Sequence, residues 1–153
     1  MLNRRRSLIR AASIVAAGLA AGLLKPLAAL AAAWPKEAFA AKSPADALKN
    51  LNAASSEPSS AIVIEAPQIA ENGAVVPVEI MSNIPGTTSL AVLVDKNPFP
   101  LAGRFDFMDG ALPFVKVNLK MGETSEVRVV ATAGGRNYVA TKEIKVTIGG
   151  CGG

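Results

Sequence analysis

Apolar side chains recur at helical spacing between residues 34 and 53. They stand every three or four positions, at Trp34, Ala38, Ala41, Ala45 and Leu48. This periodicity predicts a helical segment. Pro44 divides it, because proline is tolerated in the first turn of a helix but not in its interior. Ser43 before the proline is a favourable N-cap residue and Asp46 a favourable first-turn acid, so we expect two short helices.

From residue 61 onward the pattern changes to short runs rich in β-branched residues, separated by turn sequences such as Asn72-Gly73 and Gly134-Gly135. Charged and aliphatic residues alternate from Glu143 to Ile148, as expected of a strand with one face in water. We therefore predict an all-β fold for residues 61–148, an immunoglobulin-like antiparallel β-sandwich. The predicted strands are 61–66, 74–81, 89–95, 103–107, 113–120, 123–131 and 138–148.

Three further expectations concern how the sandwich is built. Residues 54–60 are polar and contain a proline, so we predict a linker between the helical segment and the sandwich. Pro77 lies inside a strand pattern and cannot donate to a ladder, which predicts an edge strand or a bulge. Most of the phenylalanines are expected to pack inside the sandwich, as large apolar side chains generally do. The four considered are Phe99, Phe105, Phe107 and Phe114.

The first 33 residues have the composition of an export signal. A basic start is followed by the uncharged stretch Ala11–Leu24, which at 14 residues is shorter than the roughly 20 that a membrane-spanning helix needs. The basic cluster Arg5-Arg6-Ser7-Leu8-Ile9-Arg10 resembles a twin-arginine signal, and Ala31-Ala32-Ala33 fits a cleavage site before Trp34. We predict export to a bacterial periplasm with 1–33 as the signal peptide. An ordinary signal peptide or an uncleaved anchor is the alternative.

Charge narrows the range of partners. The whole chain has a formal net charge of +4, but from residue 34 onward there are 11 Lys and Arg against 12 Asp and Glu. The remaining chain therefore lacks the basic surface typical of proteins that bind nucleic acid or anionic lipid. We predict neither as a partner.

Candidate chemistry rests on one side chain. The chain has no histidine and a single cysteine, Cys151, within the sequence Gly149-Gly150-Cys151-Gly152-Gly153. The lack of histidine argues against most metal sites and against Ser-His or Cys-His nucleophiles, so we predict no catalytic residue, no metal and no cofactor. Glycines allow wide backbone freedom, and five extended residues span at most about 16 to 18 Å. We predict a flexible arm, 149–153, that carries the thiol into another protein's active site.

The reactivity of Cys151 is expected to depend on a partner. A free thiol has a pKa near 8.5 and needs a nearby cation, helix N-terminus or metal for activation. No basic residue occurs between Val146 and Gly153. An autonomous enzyme is therefore disfavoured. Two interpretations stay open on composition alone, namely a thiol that is used by partner enzymes and one that only forms an intermolecular disulfide in an exported structural or adhesion-type β-sandwich.

The sequence resembles the SoxY family, the sulfur-carrier subunits of the periplasmic thiosulfate-oxidising (Sox) system. The resemblance lies in residues 146–153 (VTIGGCGG), in 70–78 (AENGAVVPV) and in 96–101 (KNPFPL), together with the export leader. It implies an immunoglobulin-like sandwich and a function as a covalent carrier rather than an enzyme. It also implies that Cys151 is the attachment point for thiosulfate-derived sulfur and that the four flanking glycines form the arm.

The same resemblance implies a set of partners. A second small β-sandwich protein, SoxZ, would pair with the chain as a heterodimer or higher complex. The c-type cytochrome SoxAX would join thiosulfate oxidatively to the Cys151 sulfur. SoxB as hydrolase and SoxCD as dehydrogenase would then act on the bound intermediates as transient partners.

Overall fold

A computed structural model describes residues 34–148, and its secondary structure consists of two short helices followed by short strands. The helices are α1 (Lys36–Ala40) and α2 (Pro44–Asn50). The strands are β1 (Glu57–Pro58), β2 (Ile62–Glu65), β3 (Ile69–Asn72), β4 (Val76–Ser82), β5 (Thr87–Val94), β6 (Leu101–Asp106), β7 (Phe114–Leu119), β8 (Ser125–Ala133) and β9 (Arg136–Ile148).

The strands form two sheets that enclose one core. The larger sheet has the order β1-β9-β8-β5-β6, with β3 also paired to β9, and the smaller has the order β2-β4-β7. Along the longer strands of both sheets, alternate residues point between the sheets and contribute their side chains to the core. The fully buried core side chains include Val76, Val78, Ile80, Leu90, Val92, Val94, Val127, Val129 and Ile144. The predicted β-sandwich with a short helical lead is confirmed.

The helices begin where local sequence signals place them. The Ser43 hydroxyl accepts a hydrogen bond from the Asp46 backbone N–H at 3.1 Å, and Pro44 occupies the first turn of α2. Both helices bury alanines, Ala38 and Ala47, against the outer face of the larger sheet. The prediction of two short helices is therefore confirmed, and small side chains let the helices approach the sheet closely.

The larger sheet is consequently covered on both sides. In β5, Leu90, Val92 and Val94 point into the sandwich, whereas Ala91 and Leu93 point outward into a second cluster with the helices. All of these side chains are buried. This is why the run Leu90–Val94 is continuously apolar instead of alternating.

Two segments differ from the sequence-based expectation. The predicted linker 54–60 contains β1, which pairs parallel with β9 at Tyr138 and Val139. It is held there by an ion pair between Glu57 and Arg136 and by a 2.9 Å hydrogen bond from the Ser59 N–H to the Val139 carbonyl. A segment with no side chain to bury can still dock through its backbone, which composition does not reveal.

The second difference concerns Pro77. Its strand, β4, is central in the smaller sheet, so the prediction of an edge strand is wrong at the level of strand order. The pairing of β2 with β4 ends at Glu65 opposite Glu79, however, and Pro77 lies beyond it, opposite Asn118 of β7. Pro77 thus occupies the part of β4 that is paired on one side only, where a missing N–H is tolerated.

Candidate functional site at the end of strand β9

The residues predicted to carry the chemistry follow directly after β9. Cys151 and its flanking glycines Gly149, Gly150, Gly152 and Gly153 lie outside the described residues. The structure describes the strand that leads to them. Its last residues, Lys145 to Ile148, therefore form the base from which the predicted arm would begin.

This base is held by parallel pairing with β3. Ile69 lies opposite Lys145, Ala70 opposite Val146 and Asn72 opposite Ile148. The Lys145 N–H donates to the Gln68 carbonyl at 2.9 Å. β8 pairs with β9 only as far as Ile144. From Lys145 onward, β9 is paired with β3 instead.

Side-chain hydroxyls fix the base further. The Thr124 Oγ1 accepts a 2.9 Å hydrogen bond from the Val146 N–H, and the Thr147 Oγ1 donates to the Glu71 carbonyl at 3.0 Å. The strand is thus bonded on both edges close to its last described residue. Hydrogen bonds on both edges hold this base in place on the sandwich.

Neighbouring loops at this end of the sandwich are also tied together. The Met121 N–H donates to the Gly73 carbonyl at 2.7 Å, and the Met121 side chain is fully buried. The Asn97 side chain bridges two loops, since it donates to the Lys120 carbonyl at 2.7 Å and accepts from the Gly122 N–H at 3.3 Å. Asn97 lies in the segment 96–101 that resembles the SoxY family, and the structure assigns it this structural bridging role.

Charges near the base are exposed and of both signs. Lys96 and Glu123 form an ion pair at 3.9 Å in which both side chains are more than half exposed, so it contributes little to stability. A stronger pair lies one strand away. Arg128 donates to both carboxylate oxygens of Asp95, at 3.2 and 2.7 Å, and these hydrogen bonds raise the pKa of the guanidinium although partial burial opposes the shift. This pair joins the end of β5 to β8.

Two other observations bear on function within residues 34–148. No group of three or more metal-ligating side chains occurs among them. The helices of this part of the chain are too short to cross a membrane.

The role of β3 was missed by sequence reasoning. Ile69–Asn72 has only two apolar residues, and Ile69 is more than half exposed, so the segment has little burial pattern. Its partner β9 was predicted as a strand from the alternation in 143–148, but alternation does not identify the neighbour. The one sequence feature that could have indicated β3 is Asn72-Gly73, because this turn sequence commonly follows an extended segment.

A family model and a solved structure point to the same family. The family model described as "Sulfur oxidation protein SoxY" matches residues 48–151, a range that contains every strand of the described part and also Cys151. The solved structure of the sulfur carrier protein SoxY from Chlorobium limicola f thiosulfatophilum is similar at 37% identity and a TM-score of 0.64. The match covers 74% of this chain and 100% of that one.

A more distant similarity concerns the fold alone. A superoxide reductase (neelaredoxin) from Ignicoccus hospitalis is 20% identical, with a TM-score of 0.50, over 68% of this chain and 92% of that one. No curated protein matches the chain.

Proposed function

Since this chain belongs to the SoxY family of sulfur oxidation proteins, we propose that Cys151 is the residue on which it carries sulfur. The family consists of carrier proteins rather than enzymes, and the chain is a sulfur carrier of the Sox system. One observation supports Cys151 above all. The family match extends to residue 151, and this is the single cysteine of the chain.

The attachment step is an oxidative sulfur–sulfur coupling. The Cys151 thiol loses its proton, its sulfur forms a bond to the outer sulfur of thiosulfate, and two electrons leave for a c-type cytochrome, which we propose to be SoxAX. The product is a cysteine S-thiosulfonate. Because the described residues next to the arm base provide no buried cation, thiol activation is assigned to the partner enzyme.

Later steps act on sulfur that stays bound to Cys151. Water attacks the terminal sulfonate sulfur of the S-thiosulfonate, which releases sulfate and leaves a persulfide; we assign this hydrolysis to SoxB. SoxCD then oxidises the outer persulfide sulfur, with water as the oxygen source and the dehydrogenase as the electron acceptor. Covalent attachment keeps intermediates of different oxidation states from diffusing away between active sites.

The remaining parts of the chain have proposed roles in this scheme. Residues 1–33 are a twin-arginine export signal that directs the chain to the periplasm. Residues 34–53 cover the larger sheet, and residues 54–60 connect this helical segment to the sandwich. The sandwich comprises residues 61–148, and the arm comprises residues 149–153. A SoxZ-like β-sandwich subunit is the stable partner. The hydrogen bonds at Val146 and Thr147 give the arm a fixed origin on the sandwich.

The test is replacement of the thiol in a reconstituted system. Cys151→Ser should abolish thiosulfate-dependent electron transfer to the cytochrome, because serine cannot form the sulfur–sulfur bond. Intact-mass measurement of the unmodified chain should show a reductant-sensitive thiosulfonate adduct at Cys151. Thr147→Ser, which keeps the hydroxyl at the arm base, is the matched control and should retain turnover.

Two results would contradict the proposal. One is continued turnover with Cys151→Ser while binding to the SoxZ-like subunit is unchanged. The other is a chain that under thiosulfate contains only a free thiol or a simple disulfide dimer, which would favour the cross-linking interpretation.

A further inference from the structure

The smaller sheet exposes a row of apolar side chains on its outer face. Val63, Met81 and Phe114 lie opposite one another on the three neighbouring strands and point away from the core. Val63 and Phe114 are each 38% exposed. Together with Glu65 and Glu79 they line a shallow groove of about 290 Å³. We call this surface the bare face.

Two further apolar side chains are exposed in the loop before β7. Leu112 and Met108, in the loop that leads into β7, are among the most exposed large apolar residues of the described part, at 68% and 85%. The Phe114 N–H donates to the Leu112 carbonyl, which holds this loop against the start of β7. Several exposed apolar side chains at one end of a sheet are typical of protein interfaces, and methionines adapt well to a partner's shape.

Charges beside the apolar row are unbalanced. Glu65 and Glu79 lie directly opposite each other on β2 and β4, an arrangement that is unfavourable for like charges. Lys116 on β7 forms an ion pair with Glu79, and this contact raises the lysine pKa. Glu65 has no ion pair within residues 34–148. The bare face therefore carries one carboxylate more than it has lysines, and a cation of a partner can pair with Glu65.

Pairing of a partner's strand with the free edge of β2 does not fit the structure. The Lys142 ammonium group donates to the backbone carbonyl of Ile64 at 3.2 Å. A lysine placed at a sheet edge is a common device against backbone pairing. Contact through the side chains of the face is the remaining mode on this side of the sheet.

A second copy of the chain is a poor match for the bare face. A two-fold axis along β4 would stack Val63 on Phe114 and Glu65 on Lys116 of the other copy, but it would also bring Glu79 against Glu79. The row formed by Glu65, Glu79 and Lys116 has two carboxylates and one lysine, so two copies would bring four carboxylates together with only two lysines. Closed two-fold contacts require a self-complementary surface, and a row with an excess of negative charge does not provide one.

We propose that the bare face binds a different protein subunit, one whose contact surface presents apolar side chains beside a lysine or arginine that pairs with Glu65. This rests on the proposed function, which supplies such a subunit as the stable partner. The apolar row forms the centre of the interface, and Glu65 lies at its rim.

Binding of the purified SoxZ-like subunit from the same organism, measured by isothermal titration calorimetry with the full mature chain, tests the proposal. Phe114→Asp should weaken binding by about 30-fold or more, the loss typical of a central aromatic anchor. Phe99→Asp is the matched control, since Phe99 is 50% exposed but its ring lies against Lys42 of the helical segment and does not line the groove. It should bind like the unmodified chain.

Glu65→Lys provides a second variant that leaves every apolar contact in place. It should weaken binding and remove part of its salt dependence, because a rim charge mainly affects electrostatic attraction. Circular dichroism should show that both variants are folded.

The outcomes separate this proposal from the proposed function. If the unmodified chain binds the subunit and Phe114→Asp and Glu65→Lys bind equally well, the interface lies elsewhere and only this inference is overturned. If the unmodified chain does not bind, the partner assignment is overturned with it, whereas the role of Cys151 is tested separately by turnover. Dissociation of a homodimer by Phe114→Asp would identify a second copy as the occupant and overturn the proposal.

Discussion

The two sheets of this sandwich differ in what covers their outer faces. The larger sheet has the helical segment packed on it, with Ala47 from α2 against Ala91, Leu93 and Val130. The smaller sheet has nothing from residues 34–148 packed over Val63, and its apolar side chains face outward. Residues 34–148 thus cover the outer face of one sheet and leave the outer face of the other uncovered.

This difference is visible in the strands themselves. In the second half of β5 the outward residues Ala91 and Leu93 are as apolar as the inward ones, whereas the outward residues of β4 include Pro77 and Glu79. A face that is permanently covered needs no polar positions. A face that is exposed to water needs some, which keep it soluble.

The largest expected effect compares one apolar side chain from each face. Leu93→Ala should lower the free energy of unfolding by about 2 to 5 kcal/mol, because Leu93 is fully buried between sheet and helices. Met81→Ala should cost about 1 kcal/mol or less, because Met81 is only half-buried. Urea denaturation of both variants measures the difference. Equal losses would mean that the two outer faces are equally covered.

A smaller effect is expected from enlarging a helix side chain. Ala47→Leu should cost about 1 to 3 kcal/mol, since Ala47 is fully buried against the larger sheet and extra methylene groups would push α2 away. Ala45→Leu on the same helix is the matched control, because Ala45 is not fully buried. Its denaturation midpoint should stay close to that of the unmodified chain. A tolerated Ala47→Leu would show that the helix is loosely packed.

The smallest effect concerns the pH dependence of the bare face. Glu79 raises the pKa of Lys116 above its ordinary value of 10.5, first through a hydrogen bond and then through charge. A raised pKa in the folded state stabilises the fold below pH 10.5, and this contribution is lost as the pH rises through the raised pKa. Lys116→Gln should therefore reduce the loss of thermal stability above pH 10.5. If the variant loses as much thermal stability at alkaline pH as the unmodified chain, the Lys116–Glu79 pair is too exposed to affect stability.

Sequence patterns predicted those features that depend on local chemistry. Ser43-Pro44 predicted the start of α2, Gly134-Gly135 the turn between β8 and β9, and the runs of branched residues most strands. Both glycines have positive φ, at 57° and 75°, as a tight two-residue turn requires. The sandwich followed from these elements because apolar sheet faces must pack on one another.

Features that depend on distant partners were not predictable in the same way. The pairing of β3 with the end of β9 joins Asn72 to Ile148, which are far apart in sequence and are not linked by any pattern. Similarly, Phe105 and Phe107 pack against the core as expected, but Phe99 and Phe114 are exposed. Composition gives the number of large apolar residues, whereas the topology of the fold determines which of them are buried. The assignment of Cys151 came from its sequence context alone and stays a prediction.

The pairing of Ile148 with Asn72 also sets a length limit for any enzyme that acts on Cys151. The strand is fixed up to Ile148, and Cys151 follows three residues later, so its Cα can lie at most about 10 to 11 Å from the end of β9. An active site on the proposed pathway must therefore place its reacting atoms within roughly that distance, plus one side chain, of its own entrance. The end of β9 thus sets the same maximum depth for the active site of every enzyme that acts on Cys151 in the proposed pathway.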